Sequence, residues 1–459
     1  MQTNPAAGQT LTRLSDLHFS SGPLGLVRVI HVDDRVSYQR VTGFGGAMTD
    51  SAAWLLHDEL APATRERMMD ALFGSDGIKL DFLRVPMGAS DFTAKETPYS
   101  YDDLPAGKTD PTLSHFSISH DEAYIIPTLR EALAINPHLE IMANPWSPPA
   151  WMKANDSLNN SGYSGTLVGS AYGPLAAYFV KFIEAYAHAG IPIDDISPQN
   201  EPGVATLYPG LELTAIEEER LVTDFLAPAL AAARLHPRIY GHDLGFSRDY
   251  LGLGFAKALL HTQAVALLHG IAWHCYRGNP QAISTIHGVA PSLDEIADEC
   301  APGVNPMPVP EEIIAQLRNW ARVVVLWSLA LDPRGGPVQP PNRGCGGCTG
   351  LITVDEQTGE ATLGPTYFEL GQASAFVAPG ARRIASEHFV AYRYGEGRSH
   401  VTDGIDDVAL ENPDGSIVLI AYNTSSSELP LGVRWRRRGF TYTLPAGAMV
   451  TFVWNRAGR

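Results

Sequence analysis

Glu201 stands between Asn200 and Pro202 in the stretch DISPQNEPG (195–203), a few residues past the short apolar run GIPI. Proline disfavours helical geometry in the residue before it, so Glu201 is expected in extended backbone where a strand stops. A second acid, Glu299, closes the run DEIADEC (294–300) just before a Cys300-Ala-Pro-Gly turn, whereas Glu295 opens the same run. The four acids Asp294, Glu295, Asp298 and Glu299 could also read as a solvated acidic stretch; position along the run favours Glu299 for chemistry. Two carboxylates facing one cleft suit a glycosidic bond. One protonates the leaving oxygen while the other meets the oxocarbenium-like carbon. Asp50, Arg84, Trp146, Asn200, His242 with Asp243, His274 with Tyr276, and Trp327 also lie near the ends of apolar runs. Tryptophan faces stack on a pyranose ring, and Asp, Asn, Arg and His satisfy its hydroxyls.

A metal centre fits the residues less well. His242, Asp243 and His274 are the candidates, and none has an HxH or HExxH spacing. Cys345-Gly-Gly-Cys348 has no second CxxC partner, and Cys275 alternates with His274, so it should point to the other face of its strand. A loop disulfide or free thiols are expected of the cysteines, and no metal or cofactor.

Positioning these groups requires a scaffold with many strand ends on one side. Eight short β-rich runs recur at 41–50, 80–87, 139–146, 195–202, 237–243, 270–276, 294–300 and 323–331, most of them followed by a helical pattern. Between the third and fourth, Leu175, Tyr178, Phe179, Phe182, Ile183 and Tyr186 fall at helical spacing, with Pro174 opening the helix and Gly190 closing it. Eight such units fit an α/β fold of the (β/α)8 TIM-barrel type, whose sites form at the C-terminal ends of the strands. A doubly wound sheet would favour a glycine-rich phosphate turn after the first strand. GFGGAM instead has Met48 at the last fingerprint position, and reads as a turn passing close to a neighbour.

After about residue 380 the texture changes to alternating apolar and polar residues, with a hairpin turn at Asp414–Gly415. GLVRVIHV (25–32) has the same texture and no helix after it, so it is expected to join that sheet. The expected division is N-terminal strands at 1–36, the catalytic barrel at 37–379, and an antiparallel β-sandwich at 380–459.

The 459 residues are 45% hydrophobic and 18% charged, and the formal net charge is −17. That charge argues against nucleic acid and anionic membrane surfaces as partners. The run Arg436–Arg438 reads as a solvated hairpin end. No apolar run reaches the ~20 residues of a membrane span. The N-terminus has neither a basic start nor an apolar core, which points to the cytoplasm, or to secretion with a leader already removed. Four cysteines cannot staple a chain of this size, so its stability must come from burial.

The stretches GFGGAMTDSAAWLL, FLRVPMGASDF, NPWSPPAWMK, SPQNEPG, GIAWHCY and LWSLALDPRGGP, in this order, resemble glycoside hydrolase family 30. That family includes lysosomal acid β-glucosidase and β-1,6-glucanases. The resemblance implies a (β/α)8 barrel with a β-domain built from both chain ends, and hydrolysis with retention through a covalent glycosyl-enzyme. It assigns Glu201 as acid/base and Glu299 as nucleophile. Asp50, Trp146, Asn200 and Trp327 would hold the sugar, Tyr208, His274 and Tyr276 would line the rim, and Arg84 would orient the nucleophile. It also implies a cis Trp327–Ser328 peptide. Ser328 replaces the asparagine of the lysosomal enzyme, and the Cys345–Cys348 segment looks more like the β-1,6-glucanase branch. The expected substrate is a β-D-glucoside. The same chemistry on a β-xyloside, β-fucoside, β-galactan or xylan is the alternative within enzymes, and a carbohydrate-binding protein without catalysis is the alternative outside them.

Overall fold

The computed structural model describes all residues except 26, 95–96, 305–306, 340–344, 346, 388–391, 396–397, 402–403 and 456–459. Eight parallel strands close into a barrel: β1 (Gly43–Ala47), β2 (Phe82–Pro86), β3 (Glu140–Asn144), β4 (Asp195–Ile196), β5 (Arg238–Gly245), β6 (Gly270–His274), β7 (Asp294–Glu299) and β8 (Ala321–Leu326). Each falls within or across one of the eight runs read from the sequence. Phe82, Met142, Tyr240, Ala272, Ile296, Val323 and Val325 form a cluster contributed by six of the eight strands. The barrel is thus a packed core, with its chemistry confined to the strand ends.

GFGGA is itself strand β1, and not a turn. The close approach expected there is real. A Cβ on Gly45 would strike the carbonyl of Phe82 on β2, and one on Gly46 would strike the Leu329 side chain. The helix between β3 and β4 runs Tyr172–His188 and buries Leu175, Tyr178, Phe179, Phe182, Ile183 and Tyr186 on one face. After β1, Thr49 caps the helix Asp50–His57 by accepting from the Ala52 N–H at 3.0 Å.

The second layer is a nine-stranded, mostly antiparallel sheet drawn from both chain ends. Its longest strand, Arg28–Arg40, pairs parallel with Leu429–Trp435 and antiparallel with Arg382–Ala385. Gln2–Asn4 adds to Met449–Trp454, so the extreme N-terminus also enters the sheet. Ile30, Val32, Ile384, Leu419, Val433, Trp435 and Trp454 share its apolar core. Among the described residues no helix is long and apolar enough to cross a membrane.

Buried acids give the fold a pH dependence. Glu218 is 1% exposed, and its Oε1 accepts from the His242 N–H at 3.0 Å. Burial, with Asp243 adding to it, pushes its pKa up to about 8. A carboxyl raised in this way favours the folded state while it keeps its proton. That stability is complete below the unfolded pKa near 4.5 and is lost as pH rises through about 8. Lys153 titrates the other way. Burial lowers its pKa to about 7, so its contribution improves only above that. Glu218→Gln keeps the acceptor and cannot ionise. Its stability relative to wild type should therefore rise by about 1 kcal/mol per pH unit between pH 5 and 8. Thermal melts across that range test this, and a difference independent of pH would refute it.

Candidate active site

Arg84, on β2, is fully buried and organises the C-terminal mouth of the barrel. Its Nε donates to Asp298 Oδ2 at 3.0 Å and its Nη1 to Glu299 Oε2. Its Nη2 donates to Asn200 Oδ1 at 2.7 Å and Asp243 Oδ1 at 3.1 Å. A guanidinium fork suits this task because its donors are rigidly splayed and always charged. Burial works against that charge, but Asp243, Glu299 and Asp298 outweigh it and fix the cation in place.

His274 ends β6 with no exposure. Its Nε2 meets Asp243 Oδ1 at 2.8 Å, and its Nδ1 lies 3.1 Å from Glu201 Oε1 and 3.6 Å from Glu299 Oε1. Burial disfavours the imidazolium, yet the surrounding Glu299, Asp243 and Glu201 hold its pKa well above the ordinary histidine value. His274, expected as a rim contact, lies fully buried, with a carboxylate facing each of its ring nitrogens.

Glu201 and Glu299 meet across this imidazole. The Glu201, His274 and Glu299 ligand atoms all lie within 4.8 Å of one another. Carboxyl groups of a retaining pair sit roughly 5–5.5 Å apart, and those of an inverting pair about 6.5–9.5 Å apart. Glu295, the decoy at the start of β7, is 1% exposed and accepts from Trp273 Nε1 at 2.6 Å, outside the Arg84 network.

The backbone of Glu201 differs from the expectation drawn from Pro202. Its φ is +45°, in the left-handed region and not extended. The Glu201 N–H donates to the Asp243 carbonyl at 3.0 Å, and the Val204 N–H donates back to the Glu201 carbonyl at 3.1 Å. Tertiary anchors thus override the local preference. His242 and Asp243 also have positive φ, at 79° and 48°, beside a register shift in the β5–β6 pairing. Non-glycine residues in this region cost about 1–3 kcal/mol each and concentrate at functional sites.

Trp146 and Trp327 stack at 5.2 Å and 29°, and the Arg84 Cζ sits 4.8 Å from the Trp146 ring centre. Phe92 meets the Trp327 ring edge-on at 5.5 Å. The Trp327–Ser328 peptide is cis. Tyr208 and Tyr276 pack half-buried against this aromatic cluster. Burial, reinforced by Glu299 and Glu201, keeps the Tyr276 phenol well above its usual pKa. Disulfides join Cys275 to Cys300, immediately beyond the ends of β6 and β7, and Cys345 to Cys348.

Asp50, expected as a sugar contact, is anchored by protein donors. Its carboxylate accepts from the Ala94 N–H at 2.7 Å and Tyr124 Oη at 2.8 Å, and meets His120 Nε2 at 2.7 Å. All three come from the segment after β2, and none belongs to the Arg84 network.

Sequence reasoning gave several groups in the site no role of their own. Asp243 is the acceptor at its centre, taking Asn144 Nδ2 at 2.9 Å and Ser197 Oγ besides Arg84 and His274. Its position at the end of β5 was the available signal. Asp298 was read only as the neighbour of Glu299. Asp91, in the GASDF loop after β2, has its carboxyl pKa raised well above the ordinary value by burial, and then by Glu299 and Glu201. No pattern in the sequence marks it.

A closed (β/α)8 barrel with acids this close beyond the end of β4 and at the end of β7, the second held by a buried arginine and both facing a buried histidine, defines a glycoside hydrolase of the retaining class. Comparison with known proteins agrees. Residues 41–342 match the glycosyl hydrolase family 30 TIM-barrel domain, and residues 380–452 match the family's beta sandwich domain. The endo-1,6-β-D-glucanase of Neurospora crassa is 30% identical over 430 residues, covering 90% of this chain and 88% of its own. Lysosomal acid glucosylceramidase of Mus musculus is 30% identical over 444 residues, covering 91% and 82%. Among solved structures, the endo-β1,6-glucanase BT3312 superposes with a TM-score of 0.85 at 27% identity, covering 99% of this chain and 98% of that one. The chain belongs to glycosyl hydrolase family 30.

Proposed function

We propose that the protein hydrolyses β-1,6-linked glucosides by double displacement, with Glu299 as nucleophile and Glu201 as acid/base. The observation that carries the assignment is the meeting of the two carboxylates within 4.8 Å across His274. In the first step Glu201 gives its proton to the glycosidic oxygen as Glu299 Oε attacks the anomeric carbon from the opposite face. The aglycone leaves and a glycosyl ester forms. In the second step Glu201 takes a proton from water, which attacks the same carbon and breaks the ester. Two inversions give net retention.

Arg84 holds one oxygen of Glu299, so a single orientation is presented to the sugar. It also accepts no proton during the cycle. Its bond to Asn200 Oδ1 fixes that amide and leaves Nδ2 to donate to the sugar's 2-hydroxyl, a contact that strengthens as the ring flattens. Trp146 and Trp327 supply the stacking surface. The β-1,6 linkage is supported by the glucanase relatives and by the Cys345–Cys348 segment.

The test is hydrolysis of a β-1,6-glucan oligomer followed by proton NMR, with glucosylceramide, an aryl β-glucoside and an aryl β-xyloside in parallel. The first product should be the β-anomer, with kcat/KM highest on the 1,6-linked oligomer. A first-formed α-anomer would overturn the mechanism. Preference for glucosylceramide or the xyloside would overturn the substrate while leaving the mechanism intact.

A further inference from the structure

Asp298 occupies a position no retaining mechanism requires to be acidic, next to the nucleophile proposed above. Strand side chains normally alternate faces, so Asp298 and Glu299 should point apart. A shift in the β6–β7 register between Ala297 and Glu299 breaks that alternation, and both acids reach the same guanidinium.

The environment of Asp298 is lopsided. Oδ2 accepts from Arg84 Nε at 3.0 Å. Oδ1 is buried with no donor facing it. His274 Nε2 lies 4.0 Å away, beyond hydrogen-bond reach, and is already committed to Asp243 at 2.8 Å. Asp243 accepts from Arg84, His274, Asn144 and Ser197, and its carboxylate and that of Asp298 come within 4.8 Å of each other. A buried carboxylate oxygen without a donor is costly, whereas a carboxylic O–H next to a carboxylate is satisfied. The charges agree. Arg84 from β2 and His274 from β6 supply two positive charges, and Asp243 from β5 with Glu299 from β7 supply two negative ones. Glu201 from β4 faces His274 from the outer side. A third inner carboxylate would have no counter-charge, and like charges at this separation do not both ionise.

We propose that Asp298 is held as the neutral carboxylic acid, donating its proton to Asp243, and serves as a positioning residue for Glu299. It fixes the Nε edge of Arg84 without drawing the guanidinium charge away from the nucleophile. Burial and Asp243, which push the Asp298 pKa well above the ordinary value, act in the same direction.

Asparagine reproduces a neutral acid: its carbonyl accepts from Arg84 and its N–H donates to Asp243. Asp298→Asn should therefore keep kcat/KM within about tenfold of wild type, whereas Asp298→Ala should lose about 10²-fold or more as Arg84 shifts. The independent readout is the infrared spectrum of the full chain labelled with [13C]aspartate at neutral pH. Wild type minus Asp298→Asn should show the carbonyl stretch of a protonated aspartic acid. Absence of that band, a loss in Asp298→Asn equal to that in Asp298→Ala, or failure of the asparagine variant to fold would each overturn the proposal. The proposal rests on Glu299 being the nucleophile, but the infrared band does not. A band present alongside a fully active Glu299→Gln would leave the proton on Asp298 and remove only the assigned role of Glu299.

Discussion

Glu299→Gln should abolish turnover of every β-glycoside, including those with activated aryl leaving groups. The substitution is nearly isosteric, and the amide oxygen can still accept from Arg84 Nη1, so the barrel should fold and melt as wild type does. What is lost is the attacking group. A neutral amide does not add to the anomeric carbon, and no other carboxylate of the Arg84 network can replace it. Asp243 already accepts from Arg84, His274 and Asn144, and both Asp243 and Asp298 are fully buried. Loss of an enzymic nucleophile costs on the order of 10⁴-fold or more. In the truncated variant Glu299→Ala, azide should restore turnover of an aryl β-glucoside by entering the space vacated by the carboxylate, and the product should be the α-glucosyl azide because a single displacement inverts. Residual activity above a tenth of wild type, or the same collapse in Glu295→Gln with Glu299→Gln active, would transfer the role to the other end of β7.

The scaffold was legible because it repeats. Short β-rich runs recur along the chain, most with a polar or aromatic residue at or soon after the end, and eight of them in series leave few architectures. Glu201, Glu299 and Arg84 were legible for the same reason, each lying at or near a strand end. What the pattern could not give was orientation wherever the backbone departs from regular alternation. At the end of β5, His242 and Asp243 both have positive φ beside a register shift, so period-two counting cannot say which one faces the barrel. Asp243 does, while His242 lies in the wall between the carbonyls of Ala272 and Gly252. The same failure hid Asp298, whose alternation with Glu299 is cancelled by a bulge. Glu201 shows the limit of a local rule: Pro202 disfavours helical backbone before it, but the bond from Glu201 N–H to the Asp243 carbonyl selects a left-handed conformation. The family resemblance placed His274 at the rim. Its burial follows from three acids on three other strands, which no single stretch displays.

Glu201→Gln should discriminate among substrates by leaving group, where Glu299→Gln does not. Loss of the proton donor should slow cleavage of alkyl glucosides and glucan linkages by about 10²–10⁴-fold. Activated aryl glucosides depart with little protonation, so their first step should be nearly spared. Their second step is not spared, because the same carboxylate must take a proton from the incoming water. The glycosyl-enzyme should then accumulate, giving a burst of phenol, a depressed KM and a slow steady state. Glu201 is the more accessible of the pair, its side chain 18% exposed against 8% for Glu299, as a group serving both aglycone and water requires. Azide needs no general base, so it should accelerate the steady state and trap the intermediate as the β-glucosyl azide after two inversions. Glu299→Ala and Glu201→Gln thus predict azides of opposite configuration from one substrate. An α-azide from Glu201→Gln, or equal losses on alkyl and activated aryl glucosides, would show that Glu201 is not the acid/base.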